Sequence, residues 1–163
     1  MKIIVTGGSG FLGTHMIRAL SKAGHNIKNI DLRSPKRNDE EQNFGFQTVI
    51  ADIRDTERMK LEIKDADAVL HFAGLIEAGE SVKFPQKFID YNVSGTLSVL
   101  EAMRVNNIKT ILFSSSAAIY GEPLNIPIKE DDRTMPINPY GMNKLAMEGL
   151  ISSYVEAHGF TGI

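Results

Sequence analysis

At the very start of the chain a short β-branched run, Lys2-Ile3-Ile4-Val5-Thr6, breaks into Gly7-Gly8-Ser9-Gly10-Phe11-Leu12-Gly13 and gives way at once to helical periodicity. Leu12, Met16 and Leu20 recur at helix spacing, with Gly24 where a C-terminal cap is expected. A strand that feeds a helix through glycines at 7, 10 and 13 leaves few folds open. Those glycines permit a tight turn, let another group approach the backbone, and let the helix pack close to the strand. The helix N-terminus then offers unpaired N–H groups and a partial positive charge to phosphate. The segment predicts a dinucleotide site, with Gly7, Gly10, Phe11, Leu12 and Gly13 around the diphosphate.

The remaining chain repeats the same unit. Strand candidates at 2–6, 26–31, 46–51, 68–71 and 110–114 alternate with helical segments, one of them marked by Val93, Leu97, Leu100 and Met103. That alternation predicts an α/β fold, a Rossmann-type doubly wound parallel sheet in three αβα layers. A last helix begins near Asn138-Pro139, since asparagine suits the cap and proline the first helical position. Residues 121–138, with Pro123, Pro127, Pro136 and mixed charge, read as a long loop after the fifth strand. In open α/β sheets that carboxyl edge is where ligands bind. Beyond His158 a turn at Gly159 leads toward a further strand, and the architecture predicts a domain over 1–163 that lacks a C-terminal substrate-binding half.

With 163 residues the chain suffices for one domain and a sizeable core. A net charge of −2 gives no electrostatic footprint for nucleic acid or an anionic membrane, and neither partner is expected. Lys36-Arg37 is answered at once by Asp39-Glu40-Glu41. The absence of cysteine excludes disulfides, thiolate metal sites and a cysteine nucleophile. No apolar run approaches the roughly 20 residues of a membrane span, and the opening run is too short for a signal peptide, so a cytoplasmic protein is expected. His15, His25 and His158 lack ligand-like spacing, and no metal site is expected. His71, alone at a strand end, reads as structural.

The second strand ends at Asp31, about 20 residues beyond the turn, where the dinucleotide fingerprint places an acid. A carboxylate there accepts from the 2′-hydroxyl of NAD and repels the 2′-phosphate of NADP. NAD is the expected cofactor, with Arg33 and Lys36 near enough to soften the preference. Asp52-Ile53, after the third strand, could reach the adenine, while Asp52 or Asp55 could equally cap a helix.

Tyr140 and Lys144 stand four apart in the first turns of the last helix, which puts both side chains on one face. A phenol titrates near 10 and makes a poor base at neutral pH unless a cation stabilises the phenolate, a charge that Lys144 can supply. Ser114-Ser115-Ser116 closes the fifth strand at the carboxyl edge. One hydroxyl of the three could share a hydrogen bond with a substrate oxygen and with Tyr140; for Ser114 strand-end capping is the simpler role.

Thr6 to Gly13, His71-Phe72-Ala73-Gly74, the run from Ser114 to Gly121 and the Tyr140/Lys144 pair together resemble the extended short-chain dehydrogenase/reductase family. Within it, His71 to Leu75, Gly79-Glu80-Ser81 and Asn92-Val93-Ser94-Gly95-Thr96 are similar to the nucleotide-sugar 4-epimerases of UDP-glucose/UDP-galactose type. The resemblance covers essentially the whole chain, in family order. It implies Ser116 as the catalytic serine, Tyr140 as the base and Lys144 as its partner. It also implies that Asn92 supports the active-site helix and that Phe72, Ala73 and Gly74 line the cofactor, with Ser114 and Asp52-Ile53 beside it. The implied reaction is transient oxidation at C4 of a UDP-hexose: Tyr140 takes the 4-OH proton, hydride moves to NAD, and both return on the other face. Ala117-Ala118 stands where sugar dehydratases of the family carry an acidic pair, and methyl groups cannot move protons. Ile76 stands where bacterial-type epimerases often carry a cofactor-contacting lysine, which leaves epimerases and dehydrogenases of other nucleotide sugars open, as does a non-catalytic NAD-binding unit.

Met142, Leu145, Ala146, Leu150, Ile151 and Tyr154 surround much of the last helix. A helix apolar on more than one side needs a second surface. The resemblance implies that this helix and the one at 93–103 pair across a homodimer.

Overall fold

In the computed structural model, which describes residues 1–35 and 40–163, strands form over short runs rich in β-branched and apolar residues. These are β1 (Lys2–Thr6), β2 (Asn26–Asp31), β3 (Gln47–Ile50), β4 (Ala68–His71), β5 (Thr110–Phe113) and a two-residue β6 (Thr161–Gly162). Every pairing is parallel, in the order β3-β2-β1-β4-β5-β6. β1 registers with β2 on one side (Lys2 with Asn26) and β4 on the other (Ile3 with Ala68). The chain thus winds outward from β1 to β3 and then crosses back beside β1, leaving a crevice at the carboxyl ends between β1 and β4.

Alternation along the strands feeds two cores. Ile4, Ile30, Val69 and Ile111 meet Met59 of α3 (Thr56–Glu62), Val99, Leu100 and Met103 of α6 (Gly95–Val105), and Ile151 of α7 (Pro139–His158). Ile3, Val5, Ile27 and Leu70 meet Ile17, Met16 and Leu20 of α1 (Phe11–Lys22), with Phe44 of α2 (Glu40–Phe44) at the margin. The result is the expected three-layer αβα sandwich around a sheet whose β4 is buried throughout. Each fully buried aliphatic side chain contributes about 1.5–3 kcal/mol.

Boundaries differ in instructive ways. β3 is shorter than 46–51: Phe46 turns into the core, and Ala51 N–H bonds Asp31 O at 3.0 Å just beyond the ladder. β5 ends before Ser114, whose N–H reaches His71 O only at 3.4 Å. A π-helical turn, Ile89–Ser94, precedes α6, so the segment expected as one helix from Val93 has two backbone geometries. α2, α3, α4 (Ala78–Lys83) and α5 (Pro85–Phe88) had no signal, being too short to display a 3.6-residue period.

The cap of α3 is Asp55, which accepts from Arg58 N–H at 3.0 Å; Asp52 does not cap it. α7 begins as expected, with Asn138 accepting from Gly141 N–H at 2.8 Å and Pro139 in the first turn, and ends at left-handed Gly159. Residues 121–138 are irregular, and Met135 N–H bonds Ile119 O at 2.8 Å to pin the loop's far end. Lys36, Arg37 and Asp39, part of the charge pattern noted above, lie outside the described residues. Among the described residues no helix is long and apolar enough to cross a membrane.

Candidate active site

The glycine turn is built by contact. Gly7 has φ +75°, and a Cβ on it would lie 2.5 Å from Ala73 N; a Cβ on Gly13 would lie 2.3 Å from Gly7 O. Any side chain at either position would push the turn off the loop after β4 or the helix off the turn. The turn spends its own amides inward: Gly7 N–H on Ile30 O (2.9 Å), Gly8 N–H on Asn29 Oδ1 (2.9 Å), Ser9 N–H on Asp31 Oδ2 (3.0 Å) and Gly10 N–H on Gly7 O (3.1 Å). Intrahelical bonding starts with Thr14 N–H on Gly10 O. The N–H groups of Phe11, Leu12 and Gly13 therefore have no partner among the described residues, at the positive end of α1. Phe11 stands 85% exposed beside them, edge-on to His15.

Asp31, at the end of β2, is held on both oxygens, by Ser9 N–H and by Arg33 N–H at 3.1 Å. Lys36 lies outside the described residues. Phe72 and Ala73 lie under Gly7, with Phe72 N–H on Thr6 O at 3.0 Å. Asn92, expected to support the active-site helix, directs its amide elsewhere. It accepts from Leu75 N–H (2.7 Å) and donates to Leu75 O (3.0 Å), clamping the loop that follows Gly74. Asp52 accepts the Arg54 guanidinium at 2.7 Å, and that hydrogen bond holds its carboxyl below the usual range. Arg54 also pairs with Asp90 and lies 3.7 Å from the centre of the Tyr91 ring. Ile53 turns inward: its side chain is buried where a Cβ on Gly95 would come within 2.6 Å of it, so it belongs to the core.

The Ser/Tyr/Lys group assembles beyond β5. Ser116, not Ser114, does the capping, accepting from Ala118 N–H at 3.2 Å at the head of a 3-10 turn (Ala117–Tyr120). Ser114 instead offers its carbonyl to Lys144 Nζ at 2.9 Å. That 3-10 turn abuts α7: a Cβ on Gly141 would lie 2.5 Å from Ala118 O, so glycine after Tyr140 brings the two together. Tyr140 N–H is tethered to Ser81 Oγ at 3.1 Å, on a fully buried serine of α4. Lys144 Nζ lies 6.0 Å from the Tyr140 ring centre and 4.8 Å from that of Phe113. It is buried and forms no ion pair among the described residues, and burial pushes its pKa down to about 8 against the opposing pull of Glu148. Ser115 Oγ and Asn143 Nδ2 are buried without a hydrogen-bond partner among the described residues. His71 is structural, as read: fully buried between Thr6 Oγ1 (2.7 Å) and Thr96 Oγ1 (3.0 Å), with burial first and Lys144 second lowering its pKa to about 3.

Residues 3–163 match the NAD dependent epimerase/dehydratase family. The chain belongs to that family. It is 41% identical over 162 residues to the UDP-glucose 4-epimerase of Lactobacillus helveticus, covering 98% of this chain and 48% of the relative. Among solved structures, the Brucella ovis UDP-glucose 4-epimerase in complex with NAD superposes with TM-score 0.92 at 36% identity, covering 99% of this chain and 50% of that one. The UDP-N-acetylglucosamine 4-epimerase of Methanobrevibacter ruminantium M1, in complex with UDP-N-acetylmuramic acid, gives 0.90 at 33% identity, covering 99% and 52%. The chain spans about half the length of the curated relatives it matches.

Within this family frame, three residues to which the sequence reading gave no role shape the site. Asn29 holds the glycine turn from inside β2, Ser81 tethers the first turn of α7, and Gly141 admits Ala118 O. Gly141 carried a signal, a glycine inside a helix. Ser81 stood within the quoted Gly79-Glu80-Ser81 run, but nothing there announced its tether, because its partner is 59 positions away.

Proposed function

We propose that residues 1–163 form the NAD-binding domain of a nucleotide-sugar 4-epimerase of UDP-glucose/UDP-galactose type, a cytoplasmic enzyme of galactose metabolism. The observation that carries the reading is Lys144: a buried ammonium with no ion pair among the described residues, 6.0 Å from the Tyr140 ring, at the sheet edge that also presents the open N-terminus of α1. An unpaired buried charge is costly, and such groups concentrate where chemistry needs them.

The residues fit the cofactor. Three unpartnered N–H groups at Phe11, Leu12 and Gly13 suit a diphosphate, and the Gly7 and Gly13 cradle admits no Cβ. Asp31 suits an adenosine ribose 2′-hydroxyl, Asp52 the adenine beyond it, and the stretch from Phe72 to Gly74 the crevice floor. Asn92 keeps that floor in place, and Ser114 acts through its carbonyl on Lys144. When bound, NAD supplies the hydride acceptor for the sugar C4 and the donor for the return.

Tyr140 takes the 4-OH proton as C4 is oxidised, its phenolate stabilised by the nearby Lys144 charge. Ser116 hydrogen-bonds the same oxygen, and Tyr140 returns the proton after the 4-keto sugar has turned over. The exchange is redox-neutral. Ala117 and Ala118, in the turn that Ser116 caps, supply no acid for a dehydration.

The identities to curated 4-epimerases support the sugar class. Homodimerisation belongs to the same reading: Leu97 on α6 and Met142 on α7 are 41% and 55% exposed. A monomer by sedimentation at micromolar concentration would count against it. The functional test incubates the chain with NAD and UDP-galactose and follows UDP-glucose by NMR. Conversion would establish the epimerase reading. NAD binding without conversion would favour the second reading, a cofactor-binding unit that needs further polypeptide to complete its sugar site, which the half-length match to relatives supports.

A further inference from the structure

We infer that Asn29 is a positioning residue of the dinucleotide site: acting through Ser9 it sets the Asp31 carboxylate, and with it the preference for a ribose 2′-hydroxyl over a 2′-phosphate. The inference rests on the NAD-binding reading above.

Asn29 sits mid-strand in β2, in register with Val5 on one side and Thr48 on the other, and is fully buried. A strand interior of this kind favours Val or Ile, and a buried amide is costly unless hydrogen-bonded. This one is bonded at both ends. Oδ1 accepts from Gly8 N–H at 2.9 Å; Nδ2 donates to Ser9 Oγ at 3.1 Å and Thr48 Oγ1 at 3.2 Å. Ser9, itself buried, passes the constraint outward: its hydroxyl donates to Arg33 O at 2.7 Å and its N–H to Asp31 Oδ2 at 3.0 Å. Arg33 N–H closes the circuit on Asp31 Oδ1 at 3.1 Å.

Asn29 and Asp31 are alternate residues of one strand, so their side chains leave it on the same side. They bracket the turn by taking two consecutive N–H groups, those of Gly8 and Ser9. The fit is reciprocal, since a Cβ on Gly8 would lie 2.1 Å from Asn29 Oδ1. Asn29 therefore decides which amides face the protein, and the first-turn amides of α1 remain for a ligand. An apolar residue at 29 would strand the Gly8 N–H, free the Ser9 side chain and unfix the acid that reads the ribose. Losing a hydrogen bond of this kind costs about 1 kcal/mol, which converts to about fivefold in binding.

The test measures dissociation constants of NAD and NADP by calorimetry for the unsubstituted chain, Asn29→Val and Ser9→Ala, with thermal melts as a control on folding. The NADP-to-NAD ratio should fall about fivefold in Asn29→Val and by a smaller factor, about threefold, in Ser9→Ala. A merely structural role would lower the melting temperature and leave the ratio unchanged, and an unchanged ratio in folded variants overturns the inference. Should Asn29→Val not fold, Ser9→Ala alone decides it. If the unsubstituted chain bound neither dinucleotide, the NAD-binding reading would fall and this inference with it, a result distinct from an unchanged ratio.

Discussion

The two sides of the crevice solve opposite problems. Around β1 and β2 every inward amide of the glycine turn has a partner, and even a buried asparagine is bonded at both ends. Around β5 and α7, among the described residues, a lysine is buried without an ion pair, and Ser115 Oγ and Asn143 Nδ2 have no partner. One side uses hydrogen bonds to hold a shape that a dinucleotide can recognise. The other keeps charge and polarity in an apolar setting, where pKa values shift and proton transfer becomes possible. Tolerance to substitution should differ accordingly: the first side fails by losing its fold, the second by losing its chemistry.

Tyr140→Phe should separate the two most sharply. Turnover of a nucleotide sugar should fall by about two to four orders of magnitude, the usual worth of a general base, while NAD affinity by calorimetry stays within about twofold. Loss of both together would mean that the sides are not independent.

Gly7→Ala probes the shape side. With φ +75° and a Cβ 2.5 Å from Ala73 N, the substitution should cost about 3 kcal/mol in urea unfolding and weaken NAD binding in the chain that remains folded. A neutral result would show that the turn can slide on the β4 loop.

His71, which joins the sides under the crevice, gives a pH signature. Its folded pKa of about 3 lies below the ordinary 6.5, so below pH 6.5 the unfolded chain gains the proton first. Its contribution to stability should fall as pH drops, by about 1.4 kcal/mol per unit, and His71→Gln should flatten that slope in denaturant titrations from pH 6.5 to 4.5.

Lys144 gives a slope of the same sign at the alkaline end. Its folded pKa of about 8 lies below the ordinary 10.5, so the unfolded chain holds the proton more tightly between these values. Stability should rise with pH across that window, by about 3 kcal/mol in all, and Lys144→Met should abolish the rise.

The same contrast explains what could be read in advance. The shape side was legible because its signals are local: Ile3-Ile4-Val5 into glycine, a helix period beginning at Leu12, and an acid at the end of the next strand. Asn138-Pro139 announced α7 for the same reason. Contacts across the sheet were not legible. Asn29 reads as a polar interruption of a strand until Gly8 and Ser9 are seen around it, and Ser81 means nothing until Tyr140 N–H reaches it. The serine run could be placed at the edge, yet which hydroxyl capped depended on a 3-10 turn too short to announce itself. Asp52 and Asp55 were indistinguishable as caps because Arg54, which claims Asp52, and Arg58 N–H, which claims Asp55, sort them only in space.

As proposed above, Tyr140, Lys144 and Ser116 serve a transient oxidation at C4 with the hydride kept in the site. The most direct measurement supplies UDP-galactose carrying deuterium at C4, together with NAD, and locates the label in the product by NMR. The account predicts UDP-glucose with deuterium retained at C4. Product with the label washed out to solvent would contradict it, because the hydrogen at C4 would then have travelled as a proton.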